Sequence, residues 1–166
     1  MTRPEDPLAA LMSHTAIQRL HTAYADCVNR RAFGALSELF LADALIELTP
    51  LRPPRIELRG PEALGDFIAR AVERFDFFQF VVLNAHFAPG PDDRSADGRV
   101  FMCEYRREHA SSNWTQVFGV YHDRYREVEG RWWFARRTFH PLASQGSDDV
   151  VFPVPPELSA RFQGPP

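Results

Sequence analysis

Residues 114–139 read WTQVFGVYHDRYREVEGRWWFARRTF, and this stretch decides the fold. Tyr, Val, Trp, Phe and Thr are dense on both sides of Glu129-Gly130, and these residue types favour extended strands. A Gly-containing turn between two such runs is typical of a β-hairpin. The stretch therefore predicts two long antiparallel strands that are joined at Glu129-Gly130.

The alternation of side chains along the first of these strands gives it two different faces. Tyr121, Asp123 and Tyr125 lie on one face, because successive side chains of a strand point to opposite sides. The other face carries His122 and Arg124, and burying such groups without partners costs free energy. We therefore expect the tyrosine face to be buried, with Asp123 as a carboxylate between two phenols.

The length and charge of the chain indicate how many domains it has and which partners it lacks. A chain of 166 residues fits one domain, which would bury roughly 70% of the surface that the unfolded chain exposes. The net charge is −3, and all 19 basic residues are arginines that are scattered among Asp and Glu. We expect no nucleic-acid partner, since nucleic-acid-binding proteins concentrate basic residues on one surface.

Cysteine usage and hydropathy indicate the compartment. Cys27 and Cys103 form no CxxC pair and no two histidines have the spacing of metal ligands, so we predict no bound metal. Two unpaired thiols fit a reducing compartment. The first residues lack the apolar run of a signal peptide, and no segment approaches about 18 apolar residues. We therefore expect a cytoplasmic protein without a membrane partner.

The remaining patterns place helices first and long strands last. Hydrophobic spacing predicts helices over 15–30, 32–41 and 61–75, and strands over 43–49, 56–58, 77–87 and 98–109. Turn residues predict loops over 50–55 and 88–98. We assign 1–14 to a loose arm, 15–142 to a single domain and 143–166 to a Pro-rich tail, of which Val150, Val151, Phe152 and Val154 could dock against the body. This order predicts an α+β fold in which a curved antiparallel sheet wraps three N-terminal helices.

Three passages resemble a known family: YADCVNRRAFGALSELFLADALIE (24–47), FVVLNAHF (80–87) and GVYHDRYREVEGRWWFARR (119–137). A Gly-x-Tyr-x-Asp strand followed by a Gly-x-Trp turn and an Arg is similar to the SnoaL-like branch of the nuclear-transport-factor-two-like superfamily. That branch includes scytalone dehydratase and polyketide cyclases. The resemblance covers about residues 15 to 140 and implies a cone-shaped sheet that encloses a pocket. The superfamily uses this fold for isomerases, dehydratases, epoxide hydrolases, cyclases and non-catalytic binders.

The sequence departs from that family at the positions that would carry acid/base chemistry. Many relatives have an Asp where this chain has Asn29, and a second Asp where it has Ala32. Dehydratase-like members place a His where this chain reads Gln79-Phe80. Because an amide cannot exchange a proton near neutral pH as a carboxylate can, the usual catalytic residues of the family cannot be carried over intact.

Four residues are candidates for catalysis: Asp123, Tyr121, His86 and Glu104. Asp123 could move a proton while Tyr121 donates a hydrogen bond to the substrate. His86 or Glu104 could be its counterpart, since an imidazole titrates near neutral pH and a buried carboxyl has a raised pKa. Three of them also have a structural alternative. Asp123 could bond to an arginine of the neighbouring strand, His86 could contact only water, and Glu104 could pair with an arginine such as Arg106.

A second set of residues is expected to contact the substrate: Tyr24, Asn29, Asn84 and Trp132. Tyr24 lies on the apolar stripe of the first helix and could donate a hydrogen bond to a carbonyl, or it could fill the core. Asn84 shares a strand face with His86. Trp132 and its neighbour Trp133 must face opposite sides of their strand, so one of them could line a pocket.

The sequence predicts a cofactor-independent enzyme that transfers protons in a hydrophobic, oxygenated ring compound, as a dehydratase, isomerase or cyclase does. Polar groups among many aromatic side chains suit a largely apolar pocket. Two alternatives stay open: a non-catalytic ligand-binding or dimerisation module, and a subunit that resembles the small β component of ring-hydroxylating dioxygenases. The resemblance also implies a homodimer formed through the open face of the sheet.

Overall fold

The computed structural model describes residues 7–49, 54–146 and 149–153, and the features reported below belong to these ranges. The elements are α1 (Pro7–Asn29), a 3-10 helix (Phe33–Glu38), β1 (Phe40–Leu48), β2 (Ile56–Arg59), α2 (Gly60–Val72), β3 (Phe75–Pro89), β4 (Ser95–Glu108), β5 (Trp114–Val128), β6 (Arg131–Gln145) and β7 (Val150–Val151). The strands form one sheet in the order β2-β1-β6-β5-β4-β3, and β7 pairs with β6.

The sheet confirms the predicted α+β architecture. Strands β3 to β6 are long, and each pairs antiparallel with the next one along the chain, as the sequence predicts. Strand β1 lies parallel to β6, so the sheet is mixed. This parallel pairing was not predicted, because it joins segments that are far apart in the chain. The strands β2 and β3 lie at opposite ends of the strand order, so the sheet is not closed into a barrel.

The turn between β5 and β6 confirms the predicted hairpin. Glu129 and Gly130 both have positive φ values, of 52° and 78°. Two consecutive residues of this kind form a turn whose twist matches that of the flanking strands. The register that the turn sets changes at a bulge between Arg124 and Tyr125, and beyond that bulge Asp123 lies directly opposite Arg137.

The helices differ from the prediction at their boundaries, and the third ends at Val72 rather than Phe75. Helix α1 begins at Pro7 rather than Thr15, because proline suits the first helical turn and the next residues are good helix formers. Leu11 and Met12 stay exposed there, so a search for a buried stripe overlooks this turn. The predicted second helix is a short 3-10 helix, because Phe40 already pairs with Phe134 of β6.

The chain after β6 returns to pair with that strand, which itself extends to Gln145, past the predicted end of the domain at Leu142. Val151 pairs with Ala143, and the Phe152 N–H donates a hydrogen bond to the Leu142 carbonyl. Val154 and the rest of the predicted tail lie outside the described residues, as do residues 1–6 of the predicted arm and residues 50–53 of the predicted loop.

The helices pack against one face of the sheet, which we call the inner face; the opposite side is the outer face. Tyr121, Asp123 and Tyr125 are buried on the inner face, which confirms the predicted orientation of β5. Helix α1 covers them with a stripe that includes Ile17 and Tyr24. Each such apolar side chain stabilises the fold by about 1.5–3 kcal/mol when it leaves water. Within the described ranges, the helices fall short of the combined length and apolarity that a bilayer-spanning helix needs.

Candidate functional site

A buried ion pair occupies the centre of the inner face. Arg137 donates two hydrogen bonds to Asp123, from Nε to Oδ1 and from Nη2 to Oδ2, each 2.8 Å long. The two residues come from adjacent strands and are 1% and 3% exposed. Although burial disfavours the guanidinium charge, Asp123 holds the pKa of Arg137 above its ordinary value. This is the structural alternative considered for Asp123, in which an arginine of the neighbouring strand binds it.

His21 of α1 extends this ion pair into a polar cluster of four residues: His21, Tyr125, Asp123 and Arg137. Its Nε2 lies 2.6 Å from the Tyr125 hydroxyl and 3.5 Å from Asp123 Oδ2. The Tyr125 hydroxyl also lies 3.3 Å from the same carboxylate oxygen, to which it can donate. The Tyr125 hydroxyl therefore donates its proton either to His21 Nε2 or to Asp123 Oδ2. Which of the two accepts it depends on the ring nitrogen of His21 that carries a proton.

Burial controls the protonation of this cluster. It lowers the pKa of His21 from 6.5 to about 4, with Asp123 opposing the change and Arg137 adding to it. Burial and the nearby Asp123 raise the pKa of Tyr125 well above its ordinary value. At neutral pH the cluster thus holds an uncharged imidazole and an intact phenol beside an ion pair. An uncharged imidazole can accept a proton, and the phenol can relay one.

Aromatic rings surround the Arg137 guanidinium. Its central carbon lies 4.3 Å from the ring centre of Tyr24, 4.1 Å from that of Tyr121 and 4.4 Å from that of Phe134. Such stacking stabilises a desolvated cation by about 2 kcal/mol. Burial raises the pKa of both tyrosines, so their hydroxyls stay protonated. They can therefore act only as neutral hydrogen-bonding groups near neutral pH.

The structure brings some of the predicted site residues together. Asp123, Tyr121 and Tyr24 meet around Arg137. Glu104 lies on the same face but accepts a hydrogen bond of 2.9 Å from Arg106 Nε. Trp132 is 8% exposed and belongs to the hydrophobic core.

Two predicted residues of β3 lie apart from this cluster. His86 and Asn84 are exposed. His86 pairs in register with Arg99, which in turn pairs with His122 on the outer face. The sequence predicted that Asn84 and His86 share a face, but it could not show that this face is the outer one.

The Asn29 side chain forms two hydrogen bonds with the backbone of β3. Its Nδ2 donates to the Phe80 carbonyl at 2.9 Å, and its Oδ1 accepts from the Phe80 N–H at 2.7 Å. An amide can donate and accept in this way, whereas a carboxylate can only accept. These two hydrogen bonds join the end of α1 to β3.

The four-residue cluster is closed to solvent in this conformation. The His21 ring stacks on Phe87, with the ring centres 5.5 Å apart, and it meets Phe134 edge-on at 5.0 Å. Two cavities in the described part of the chain lie elsewhere. One of about 540 Å³ opens on the outer face, and one of about 490 Å³ lies between the 3-10 helix and α2. A ligand would reach His21 only if rings such as Phe87 moved aside.

Sequence reasoning missed His21, although a local signal existed. His21 lies four residues after Ile17 and three before Tyr24, so it falls on the buried stripe of α1. Its partner Tyr125 is 104 residues away, and no local pattern shows that contact. In the ranges that the structure describes, no three His, Cys, Asp or Glu side chains are grouped closely enough to hold a metal ion.

Comparison with known proteins identifies relatives of this fold. Similar solved structures include hexachlorocyclohexane dehydrochlorinase LinA type 2, with 18% identity, 91% of this chain and 99% of that chain covered, and a TM-score of 0.75. LinA type 3 from Novosphingobium barchaimii LL02 has 20% identity, coverages of 90% and 100%, and a TM-score of 0.75. A candidate scytalone dehydratase from Novosphingobium aromaticivorans DSM 12444 has 18% identity, coverages of 86% and 93%, and a TM-score of 0.73. At identities of 18–20%, these similarities show a shared fold but not a shared activity.

The sequence itself gives the family. A search of curated proteins found no match. The family model of the SnoaL-like domain, however, matches residues 9–138, which is most of the chain. On this match and on the fold described above, the chain belongs to the SnoaL-like domain family.

Proposed function

We propose that this protein is a cofactor-independent enzyme that transfers protons in a hydrophobic, oxygenated ring compound. The reaction class is that of a dehydratase, isomerase or cyclase. One observation carries the proposal: an uncharged His21, the Tyr125 phenol and the Asp123–Arg137 pair form one hydrogen-bonded cluster in an otherwise apolar interior. Functional sites are where such perturbed titratable groups gather.

His21 is the base in this proposal. Its neutral imidazole would take a proton from a carbon atom of the substrate, and the imidazolium that forms would lie 3.5 Å from Asp123 Oδ2. The same proton then returns to the leaving hydroxyl group or to another carbon. Asp123 stabilises the charged intermediate, and Arg137 fixes the orientation of its carboxylate. In this arrangement Asp123 assists a base that comes from α1 rather than from β3.

Aromatic side chains would bind the substrate. The hydroxyls of Tyr24 and Tyr121 stay protonated and so can donate to a carbonyl or hydroxyl oxygen. Phe87 and Phe134 contact the His21 ring and would offer faces to a hydrophobic ring. Two of the proteins with the same fold are named for losing hydrogen chloride or water, which supports an elimination as the reaction type.

We further propose that the protein acts in the cytoplasm as a homodimer. Both cysteines are buried as free thiols, which fits a reducing compartment. Phe77, Tyr105 and Trp114 are exposed at one end of the outer face, and Phe77 contacts Trp114 with ring centres 5.1 Å apart. Exposed aromatic groups of this kind favour a subunit interface.

Turnover of a panel of cyclic ketones and ring alcohols tests the enzymatic proposal. Wild type is compared with His21→Gln, which removes the titrating ring, and Asp123→Asn, which removes the charge. Asp26→Asn is the matched control, since Asp26 is an exposed carboxylate on the same helix as His21. We expect both cluster variants to lose about 100-fold or more in rate and the control to keep its rate. Equal turnover by His21→Gln and wild type would refute the role of His21.

A non-catalytic binding module is the second candidate, and the structural role of Asn29 favours it. The four residues of the cluster are each at most 4% exposed, and Asn29 serves the backbone of Phe80 rather than a substrate. A module of this kind would raise its melting temperature with ring compounds and convert none of them. Thermal shifts without product, unchanged in His21→Gln, would favour this candidate over the enzyme.

A further inference from the structure

A row of polar side chains crosses the outer face of the sheet, on the side opposite to His21. Neighbouring strands place its five members directly opposite one another: Glu47 of β1, Thr138 of β6, His122 of β5, Arg99 of β4 and His86 of β3. The proposed proton-transfer reaction uses none of these residues. A sheet face that packs only against an apolar layer would carry apolar side chains at these positions. The polar row therefore indicates a different role for this face.

Beside this row the outer face opens into the cavity of about 540 Å³. Four guanidinium groups of the described residues line it, those of Arg55, Arg99, Arg124 and Arg136. Glu47 and Asp97 supply carboxylates there. Asp123 also reaches the wall, but its carboxylate is fully buried on the inner face against Arg137. The lining therefore carries more positive than negative charge, and it would attract an anion.

Glu47 binds Arg136 closely and Arg55 only weakly. Glu47 accepts from Arg136 Nε at 3.0 Å and from the Thr138 hydroxyl at 3.1 Å, whereas Arg55 reaches its other oxygen only at 3.5 Å. Although burial opposes it, Arg136 lowers the pKa of Glu47 below its ordinary value, so the carboxylate stays charged.

Arg124, like Arg55, has a long contact with its carboxylate partner. Its Nε lies 3.4 Å from Asp97, and its side chain is 58% exposed, compared with 51% for Arg55. A guanidinium carries five N–H donors, so one long contact leaves most of them available. Arg55 and Arg124 can therefore offer paired donors to a ligand in the cavity.

We propose that this cavity is a second binding site, for a small anion that carries carboxylate or phosphate oxygens. The planar fork of an arginine matches two oxygens of such a group at once. Arg55 and Arg124 would hold the anion from the rim, beside the charged pair of Arg136 and Glu47. The site lies behind the sheet from His21, so its occupant need not be the compound that the enzyme converts.

Isothermal titration calorimetry of the full chain at constant ionic strength tests this site. Inorganic phosphate and malonate are titrated separately, with chloride as the matched salt, so the two anion chemistries are distinguished. The double variant Arg55→Gln/Arg124→Gln should bind about tenfold more weakly or worse, because each charge-assisted hydrogen bond lost reduces affinity strongly. Arg30→Gln is the control, since Arg30 is an equally exposed arginine that pairs with Asp26 on α1. It should bind as wild type does.

Three results would overturn the proposal. The first is that neither phosphate nor malonate gives more heat than chloride. The second is that the double variant binds either anion as tightly as wild type. The third is that size-exclusion chromatography shows the double variant to change from dimer to monomer, because the arginines would then serve an interface between two copies. Weaker anion binding with an unchanged oligomeric state supports the site.

Discussion

Acidification below pH 6.5 should destabilise the protein through His21. Its pKa is lowered from 6.5 to about 4, chiefly because burial disfavours the charged imidazole. The unfolded chain therefore binds a proton at this position before the folded chain does. The stability that the neutral ring provides is complete above pH 6.5 and is lost as the pH falls towards 4. At about 1.4 kcal/mol per pKa unit, we expect a loss of about 2 kcal/mol at about pH 5 and about 3 kcal/mol at about pH 4.

Urea unfolding at about pH 7.5, 6 and 5 measures this loss, with wild type and His21→Gln compared at each pH. Glutamine keeps a hydrogen-bonding group near Tyr125 but cannot be protonated, so the difference between the two proteins isolates the imidazole. His86→Gln is the control, since His86 is an exposed histidine. We expect His86→Gln to follow the pH dependence of wild type.

The change in the free energy of unfolding with pH decides whether the reasoning holds. If His21→Gln loses as much free energy of unfolding as wild type does between about pH 7.5 and 5, the imidazole is not held neutral by burial. The proposed role of His21 as a base would then lose its electrostatic support. A variant that is less stable at every pH but has a flatter profile supports the reasoning.

Three further substitutions probe the contacts around this cluster, each by urea unfolding. Asp123→Ala leaves a buried guanidinium without a partner and should cost about 3–5 kcal/mol; a loss below about 1 kcal/mol would contradict the ion pair. Asn29→Asp replaces a donor by a carboxylate oxygen that faces a carbonyl, and should cost about 1–3 kcal/mol; unchanged stability would argue against the paired hydrogen bonds. Gly98→Ala places a methyl group against the ring and hydroxyl of Tyr125 and should cost about 1–3 kcal/mol. Gly34→Ala, which meets nothing within 4 Å, is its control, and equal effects at both sites would refute the steric argument.

The hairpin and its buried face were predictable because they depend on neighbours in the chain. Alternation alone places Tyr121, Asp123 and Tyr125 together, and Glu129-Gly130 specifies the turn. The parallel pairing of β1 with β6 depends instead on segments that are distant in sequence. Short-range patterns do not contain that information, so the antiparallel sheet that the sequence predicts becomes a mixed one.

The candidate site was predictable only in part, for a similar reason. Asp123 was found because two tyrosines flank it on its own strand. His21 was missed because its contacts come from β5, β3 and β6 rather than from α1. Alternation groups His86 with Asn84, but only the whole sheet shows which side of it they occupy.

The paired hydrogen bonds between Asn29 and Phe80 make the local stability of helix α1 uneven along its length. They fasten the last turn of a 23-residue helix to β3, while Leu11 and Met12 in its early turns are more than 60% exposed. Backbone amides near Cys27 should thus exchange with deuterium slowly and those near Met12 quickly. His21 lies between these two parts of the helix, so fraying that starts at Leu11 and Met12 is the motion that would uncover its ring.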